Sequence, residues 1–363
     1  MSISIKGLRK QFGETVAVSS ISLEIAEGEM RVLLGPSGCG KTTTMRCIAG
    51  LDAPTSGEIS IGGKTVFSAS SGINIPTNRR RVGMVFQSYA IWPHLTVFQN
   101  VSFPLEMEGV GKAEIKQRVE DMLSLVGLAN FGSRGASYLS GGQMQRVALA
   151  RSLVMKPSVL LFDEPLSNLD ARLRDHLRVE LRELQTRFNI TGVYVTHDQR
   201  EALAVADRIT VMEAGELLQT DTPIDIYGQP QSTRIAQFLG YTNIFPVSGP
   251  VTRRDSRTVR LRDGNEVRIK SGAAPDENVS ICVRPDDVLI RPAATATIQA
   301  NQNSFAGVVT LASFMGTHMQ YRVRLESDEV WEAISPKIST EIRIGSQVTV
   351  DIASDAILLL PNE

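Results

Sequence analysis

The segment MRVLLGPSGCGKTTTMRCIAG, residues 30–50, carries the strongest structural signal in this chain. It opens with MRVLLG (30–35), an apolar run that predicts a buried strand, and it closes with a helical pattern. Between the two lies GPSGCGKTT (35–43), which fits the pattern G-x-x-x-x-G-K-[ST]. In such a turn the glycines let backbone N–H groups surround a phosphate, and the helix N-terminus adds partial positive charge. The segment predicts a phosphate-binding loop, with a plain glycine-rich turn as the alternative.

Two residues of this loop have predicted contacts with a bound nucleotide. Lys41 is expected to contact the β- and γ-phosphates, and Thr42 is expected to place its hydroxyl on Mg²⁺. The other loop residues are expected to line the phosphates, and these are Gly35, Pro36, Ser37, Gly38, Cys39, Gly40 and Thr43.

An acidic pair complements the loop. The run VLLFDE (159–164) predicts a buried strand that ends in Asp163 and Glu164. Ligands of open α/β sheets collect at the carboxyl ends of the strands. We therefore expect Asp163 to join a Mg²⁺ shell through water, and Glu164 to act as the general base that orients a water onto the γ-phosphate. Taken alone, an acidic pair after a strand is more often a helix cap or a surface turn.

Short apolar runs alternate with helical segments over about residues 1–235. GVYVTH (192–197) predicts a third buried strand. The helix before it carries one apolar stripe at helical spacing, formed by Leu173, Leu177, Leu181 and Leu184. This alternation favours an α/β fold with a parallel sheet.

The helical period disappears beyond residue 240. TVRLRDGNEVRI (258–269) predicts a hairpin that turns at Asp263-Gly264, and YRVRL (321–325) and VTVDI (348–352) alternate as half-buried strands do. The sequence therefore predicts two domains, an α/β domain over residues 1–238 and a β-rich domain over residues 239–363.

Composition limits the possible partners and compartment. The 363 residues carry a net charge of −1, which gives no indication of nucleic acid or acidic lipid as a partner. The basic run Arg79-Arg80-Arg81 is expected to form a solvated turn. The sequence has neither an apolar stretch long enough to span a membrane nor a secretory pattern, so we expect a cytosolic protein that reaches a membrane only through a partner. Three cysteines suit neither a disulfide framework nor a metal site, and these are Cys39, Cys47 and Cys282.

A second anion site is predicted at LSGGQMQR (139–146), where two glycines open a helix despite their poor helix propensity. Ser140 is expected to cap the helix, while Gly141 and Gly142 leave backbone N–H groups free to reach an anion. Two anion sites in one chain suggest a symmetric head-to-tail pair, with ATP held between the loop of one copy and Ser140 of the other.

With these motifs the sequence resembles the ATP-binding subunits of ABC transporters, whose signature is LSGGQ. The resemblance covers residues 3 to about 235. It implies that Phe12 stacks on adenine, that Gln87 in VFQSYA contributes to catalysis and to the Mg²⁺ shell, and that His197 in VTHD contacts the γ-phosphate. It also implies nucleotide-binding roles for Gln143 and, in SNLD (167–170), for Asp170.

The resemblance has consequences for architecture and partners. It implies a P-loop ATPase domain with a helical signature subdomain at about residues 88–158, followed by an OB-like domain of the TOBE type. It also implies a homodimer, transmembrane permease subunits and an extracytoplasmic solute-binding protein, with the ATPase on the cytoplasmic face of the inner membrane. The aromatic residues Tyr89, Trp92 and Phe98 suggest the permease-facing surface, although core packing is equally plausible.

The expected function is ATP hydrolysis that powers solute import, with ferric iron or a polyamine as the favoured cargo. A sugar importer is the first alternative, and a soluble ABC ATPase outside transport is the second. Such soluble proteins usually carry a long coiled coil or a tandem ATPase unit, and neither pattern occurs here. A module that binds ATP without hydrolysing it would not need both Glu164 and His197.

Overall fold

The computed structural model describes residues 1–253, 256–270, 278–293, 302–338 and 341–362. The chain divides into two units, Met1–Ile226 and Tyr227–Glu363. The predicted boundary after residue 238 lies inside the second unit and stays a prediction.

The described elements are as follows. The strands of the first unit, β1 to β11, are Ile3–Phe12, Thr15–Ile25, Met30–Leu34, Ser56–Ile61, Lys64–Ser68, Ile73–Asn74, Val82–Val85, Val159–Asp163, Thr191–Thr196, Arg208–Glu213 and Glu216–Asp221. The helices α1 to α8 are Lys41–Ala49, Val97–Met107, Lys112–Leu125, Gly141–Leu153, Ala171–Phe188, Gln199–Val205, Pro223–Gly228 and Thr233–Phe238. Short 3₁₀ turns lie at Thr77–Arg79, Ala129–Phe131, Ala136–Tyr138 and Pro285–Asp287. The strands of the second unit, β12 to β21, are Asn243–Arg253, Ser256–Leu261, Glu266–Arg268, Val279–Val283, Val288–Pro292, Gln302–Phe314, Met319–Leu325, Val330–Ser335, Gln347–Ala353 and Leu358–Pro361.

The central sheet of the first unit has the order β11-β10-β3-β9-β8-β7. Its strands pair in parallel, except that β11 runs antiparallel to β10. The three strands expected from the apolar runs, β3, β8 and β9, lie side by side, which confirms the predicted parallel sheet. Because parallel strands end at the same edge, the residues that follow β3, β8 and β9 meet there.

A second sheet of the first unit was not predicted. It is antiparallel, with the order β2-β1-β4-β5-β6. Its buried residues, such as Ile5, share one apolar core with Leu33 of the central sheet and Ile48 of α1. Helix α1 is therefore held inside the unit, with its N-terminus at the sheet edge where the site forms.

The basic run at residues 79–81 is not the solvated turn that we expected, because Arg80 is buried. Its guanidinium donates to the carbonyls of Cys47 and Ile48 at 2.8 and 3.0 Å, and to that of Ile75 at 2.7 Å. Arg80 thus adds hydrogen bonds to carbonyl groups at the C-terminal end of α1, where the last turn of a helix lacks its regular intrahelical donors. Only its neighbours Arg79 and Arg81 are exposed.

Helices α2, α3 and α4 occupy the chain between β7 and β8, where the helical subdomain was predicted, and α2 packs against α3 and α4. Tyr89 is 6% exposed, so core packing accounts for this residue of the predicted permease-facing surface. Trp92 is half-buried, with its ring centroid 4.5 Å from that of Phe103, and Phe98 is also half-buried.

Within its described residues, the second unit contains helix α8 and two five-stranded sheets, with the orders β14-β13-β12-β15-β21 and β16-β20-β17-β18-β19. The predicted hairpin is confirmed, since Thr258 pairs with Arg268 across the Asp263-Gly264 turn. Both sheets contribute to one apolar core that includes the fully buried Trp331.

Among the helices of the described residues, none is long and apolar enough to cross a membrane.

Candidate active site

The loop after β3 has the shape expected of a phosphate cradle. Gly38 and Gly40 adopt φ values of +80° and +102°, in the left-handed region that favours glycine. At Gly40 a Cβ atom would also lie 2.4 Å from the carbonyl oxygen of Ala17, so no larger residue fits. Helix α1 then begins without any side-chain cap on its first N–H groups, which leaves them available to an anion.

Lys41 lies inside this loop and is 4% exposed. Its ammonium donates to the carbonyl oxygens of Gly35 and Pro36, both at 2.8 Å, and lies 3.6 Å from Sγ of Cys39. These contacts place one buried positive charge within the cradle. Pro36, Ser37 and Gly38 are exposed, Thr43 is half-buried, and Cys39 is a buried free thiol.

Thr42 and Asp163 meet across the sheet edge. The Thr42 hydroxyl donates to Oδ1 of Asp163 at 3.0 Å. Burial raises the pKa of Asp163, an effect that the Thr42 hydrogen bond partly offsets. The Thr42 hydroxyl oxygen and the Asp163 carboxylate oxygen are hard metal ligands of the kind that Mg²⁺ prefers.

The three predicted catalytic side chains come together at Glu164, which follows β8. Oε1 of Glu164 lies 3.2 Å from Nδ1 of His197, and Oε2 of Glu164 accepts a hydrogen bond from Nε2 of Gln87 at 3.1 Å. Glu164 itself has φ +44°, a strained backbone conformation for a non-glycine residue. Such strain persists only where the surrounding structure holds it in place.

The residues on both sides of His197 are hydrogen-bonded to α6. Glu201, buried in α6, accepts hydrogen bonds from the hydroxyls of Tyr194 and Thr196 at 3.0 and 2.9 Å. Asp198 caps α6 by accepting from the backbone of Arg200 and Glu201. The residues on both sides of His197 are thereby fixed.

The SNLD loop supports the same cluster. Ser167 donates to the Glu164 carbonyl at 2.9 Å, and Asn168 donates to the Gln87 carbonyl at 2.8 Å. The Asp170 carboxylate accepts from the backbone N–H of Leu173 at 3.0 Å and so serves as the N-cap of α5. Its nucleotide-binding role stays a prediction.

Sequence reasoning missed Arg174 on α5. Its guanidinium donates to the Leu169 carbonyl at 3.1 Å and to the Asp198 carboxylate at 3.4 Å. Arg174 therefore ties the SNLD loop to the turn that carries His197. The available signal was a charged residue directly beside the apolar stripe of this helix.

The signature segment begins α4 as predicted. Ser140 accepts from the Gln143 backbone N–H at 3.4 Å, and the Gln143 side chain accepts from the Ser140 N–H at 3.0 Å, which is a capping box. The two glycines also have a packing role that we did not predict. A Cβ on Gly142 would lie 2.7 Å from Cδ2 of Leu173, and one on Gly141 would lie 3.2 Å from Cδ2 of Leu169.

Phe12 ends β1 and is 48% exposed, and the Lys10 ammonium lies 4.5 Å from the centroid of its ring. The ring is thus accessible for stacking, and its contact with adenine stays a prediction. Together, the fold and this site define a P-loop protein with the machinery for nucleotide hydrolysis.

Comparison with known proteins gives the family. Residues 18–167 match the ABC transporter family, and residues 281–360 match the TOBE domain. The Fe(3+) ions import ATP-binding protein FbpC of Rhizobium etli is 43% identical over 358 residues, which cover 99% of this chain and 97% of that protein. The protein of the same name in Brucella abortus is 41% identical over 359 residues, with 99% and 98% coverage.

Solved structures agree. The chain resembles cbiO1 from Clostridium perfringens, part of the ABC transporter complex cbiONQ, with a TM-score of 0.57 and 29% identity over 62% of this chain and 90% of that one. It also resembles the ATP-binding cassette MJ0796, a dimer in a post-hydrolysis state bound to ADP and Pi, with a TM-score of 0.54 and 32% identity over 61% of this chain and 98% of that one. The chain belongs to the ABC transporter family, as an ATPase of the importer type with a C-terminal TOBE domain.

Proposed function

We propose that this chain hydrolyses ATP to power the import of ferric iron through a membrane ABC transporter. The support for this cargo is the similarity over nearly the whole chain to proteins named as Fe(3+) importers, at 43% and 41% identity. A polyamine or sugar cargo is the alternative, because an ATPase of this kind drives motion without touching the solute. The TOBE domain and these relatives disfavour a soluble ABC ATPase outside transport.

Hydrolysis is proposed to occur where Gln87, Glu164 and His197 meet, and this cluster is the observation that carries the mechanism. Glu164 orients the attacking water and accepts its proton, and His197 contacts the γ-phosphate. Lys41 gives up its loop carbonyls to bind the β- and γ-phosphates, where its charge is better balanced. Phe12 stacks on the adenine ring.

The residues at the sheet edge fit Mg²⁺. The Thr42 hydroxyl and the Asp163 carboxylate would hold it, Asp163 through a water, and Gln87 would contribute through its Oε1 atom, since its Nε2 is a donor. When bound, Mg²⁺ would neutralise negative charge on the phosphate groups of ATP.

The working unit is proposed to be a head-to-tail homodimer. ATP lies between residues 35–43 of one copy and the start of α4, with Ser140, Gly141, Gly142 and Gln143, of the other. ATP binding then favours the closed dimer by linkage. Permease subunits bind this dimer at the cytoplasmic face of the inner membrane, and an extracytoplasmic binding protein delivers the solute to them.

The first test is the substitution Glu164→Gln in the full chain. It removes the base but keeps the shape, so ATP binding should persist while turnover falls by at least about a hundredfold. Light scattering should then show a dimer with ATP, and Glu216→Gln, at an exposed glutamate of β11, should behave as wild type. Turnover of the Glu164→Gln chain at the wild-type rate would remove Glu164 from catalysis.

The second test addresses the cargo. Disruption of the gene in its own host should reduce uptake of radiolabelled ferric iron and leave putrescine and maltose uptake unchanged. The wild-type gene should restore uptake, and the Glu164→Gln gene should not. A loss of uptake confined to putrescine or maltose would contradict ferric iron as the cargo and identify that solute in its place.

A further inference from the structure

The backbone just after Gln87 is strained. Tyr89 and Ala90 are consecutive non-glycine residues with φ values of +61° and +49°. Left-handed backbone costs an L-residue roughly 1–2 kcal/mol, so two in succession require an external hold.

Arg151, in the last turn of α4, provides that hold. Its two terminal nitrogens donate to the carbonyl oxygens of Ala90 and Tyr89, at 2.7 and 2.9 Å. The planar guanidinium suits two parallel hydrogen bonds, which a lysine ammonium reproduces poorly. Its carbon centre also lies 4.9 Å from the ring centroid of Trp92.

Trp92 is fixed in turn. Its backbone N–H donates to the Asn100 side chain at 2.9 Å, and its carbonyl accepts from Nδ2 of Asn100 at 3.1 Å. Residues 89–92 are therefore held from α4 through Arg151 and from α2 through Asn100.

On the other side of the strained pair lies the catalytic cluster. Gln87 is two residues before Tyr89, and its side chain contacts Glu164 at 3.1 Å. A change in the backbone at residues 89–90 therefore moves the Gln87 side-chain amide, which donates to the Glu164 carboxylate.

We propose that Arg151 is a positioning residue that holds Tyr89 and Ala90 in the left-handed conformation and thereby places Gln87 against Glu164. This inference rests on the proposed catalytic roles of Gln87 and Glu164. Because Ser140 caps the start of α4 and Arg151 lies in its last turn, a shift of this helix reaches Gln87 through these two hydrogen bonds. One helix then carries both the predicted contact with the partner's nucleotide and the support of its own catalytic loop.

The test is Arg151→Met in the full chain, with kcat and KM for ATP measured separately. We expect kcat to fall about tenfold, while KM changes less than about twofold because the predicted ATP contacts at Phe12 and Lys41 are untouched. Arg151→Lys should lie between Met and wild type. The decisive variant adds Ala90→Gly, since glycine adopts φ +49° without the steric cost.

Relief of roughly 1 kcal/mol at Ala90 corresponds to about a fivefold recovery of kcat in Arg151→Met/Ala90→Gly. The matched control is Ala214→Gly, at another exposed alanine with φ +47°, in the β10–β11 turn. It should leave the kcat of Arg151→Met unchanged, although it relieves the same strain. Thermal unfolding of both double variants checks that the recovery does not follow general stability.

Equal effects of Ala90→Gly and Ala214→Gly on kcat would overturn the proposal. If Arg151→Met does not fold, the same comparison is made in Arg151→Lys, with the same two outcomes. Glu164→Gln, assayed in parallel, separates this inference from the proposed function. Wild-type turnover in Glu164→Gln refutes the catalytic assignment. If Glu164→Gln is inactive but Ala90→Gly fails to restore the kcat of the Arg151 variant, only the role of Arg151 is refuted.

Discussion

Gly142→Ala tests why the signature helix begins with glycines. A methyl group at this position would point at Leu173 of α5, with three side-chain atoms at 2.7, 3.2 and 3.3 Å. At such distances either the Leu173 side chain must move or the start of α4 must shift away from α5. The alternative explanation is that the methyl group obstructs a nucleotide bound by the partner copy.

The structure gives the size and sign of the effect on stability. Overpacking costs typically about 1–3 kcal/mol, and replacing glycine with alanine in a helix returns about 1 kcal/mol. The net destabilisation is therefore about 0–2 kcal/mol, or up to about 8 °C in the melting temperature of a unit of this size. In a Leu173→Ala background the clash is gone, so the same substitution should stabilise by about 1 kcal/mol.

The assay is a double-mutant cycle in the full chain, with thermal unfolding without nucleotide and steady-state ATP hydrolysis measured for all four variants. We expect Gly142→Ala to reduce turnover about tenfold, the size of effect that a displaced positioning element produces. The double variant should recover the turnover of Leu173→Ala. If it stays as inactive as Gly142→Ala while the stability effect reverses, the packing explanation is wrong and the methyl group itself blocks the nucleotide.

Two further predictions concern charged groups. Lys41→Ala should raise the Kd for ATP at least about tenfold, because a charge-assisted hydrogen bond to phosphate is worth roughly 1.5–3 kcal/mol. Calorimetry measures the Kd, and Lys6→Ala, at an exposed lysine, is the control. An unchanged Kd would contradict the proposed phosphate contact of Lys41. In the second unit, burial and the nearby Asp263 raise the pKa of Glu329 to about 7. Because this pKa lies above that of the unfolded chain, the stabilisation is fully present at low pH and is lost as the pH rises through about 7. Glu329→Gln should therefore flatten the fall in melting temperature between about pH 5 and about pH 8, relative to wild type and to exposed Glu326→Gln, and an unaltered pH profile would contradict this assignment.

The sequence predicted the parts of the fold that depend on local pattern. Strands β3, β8 and β9 are each built on a short apolar run, and the cradle is defined by glycines and a lysine within nine residues. The predicted Asp263-Gly264 hairpin also forms, because its turn residues and its alternation act over a few positions. In each case the physical cause lies within the quoted segment.

What the sequence did not predict depends on contacts between distant segments. The burial of Arg80 depends on the end of α1, which lies 30 or more positions earlier. For Tyr89, which stands in a loop by its sequence, a partner-facing position and core packing were equally plausible, and only the structure shows that it is buried. Arg151 contacts two backbone carbonyls, and Arg174 contacts a backbone carbonyl and the Asp198 carboxylate. These partners are identified only by the three-dimensional contacts. The packing of Gly142 likewise needs the position of α5.

The cluster at Glu164 lies between these cases. Glu164 was predicted from its own strand end, whereas Gln87 and His197 were predicted from the resemblance to ABC transporter ATPases. The parallel sheet brings the strand ends that precede all three residues together. Their mutual contacts, with Glu164 between the other two, came only from the structure.

Arg80 has a consequence for how far the nucleotide's influence extends. A nine-residue helix is about 14 Å long, and helices this short are marginal unless both ends are secured. Arg80 holds the C-terminal end of α1. The position of the N–H groups at its N-terminal end, which are proposed to bind the triphosphate, therefore depends on an arginine one helix length away. A substitution of Arg80 would therefore weaken the binding of ATP without changing any of the groups proposed to contact the nucleotide.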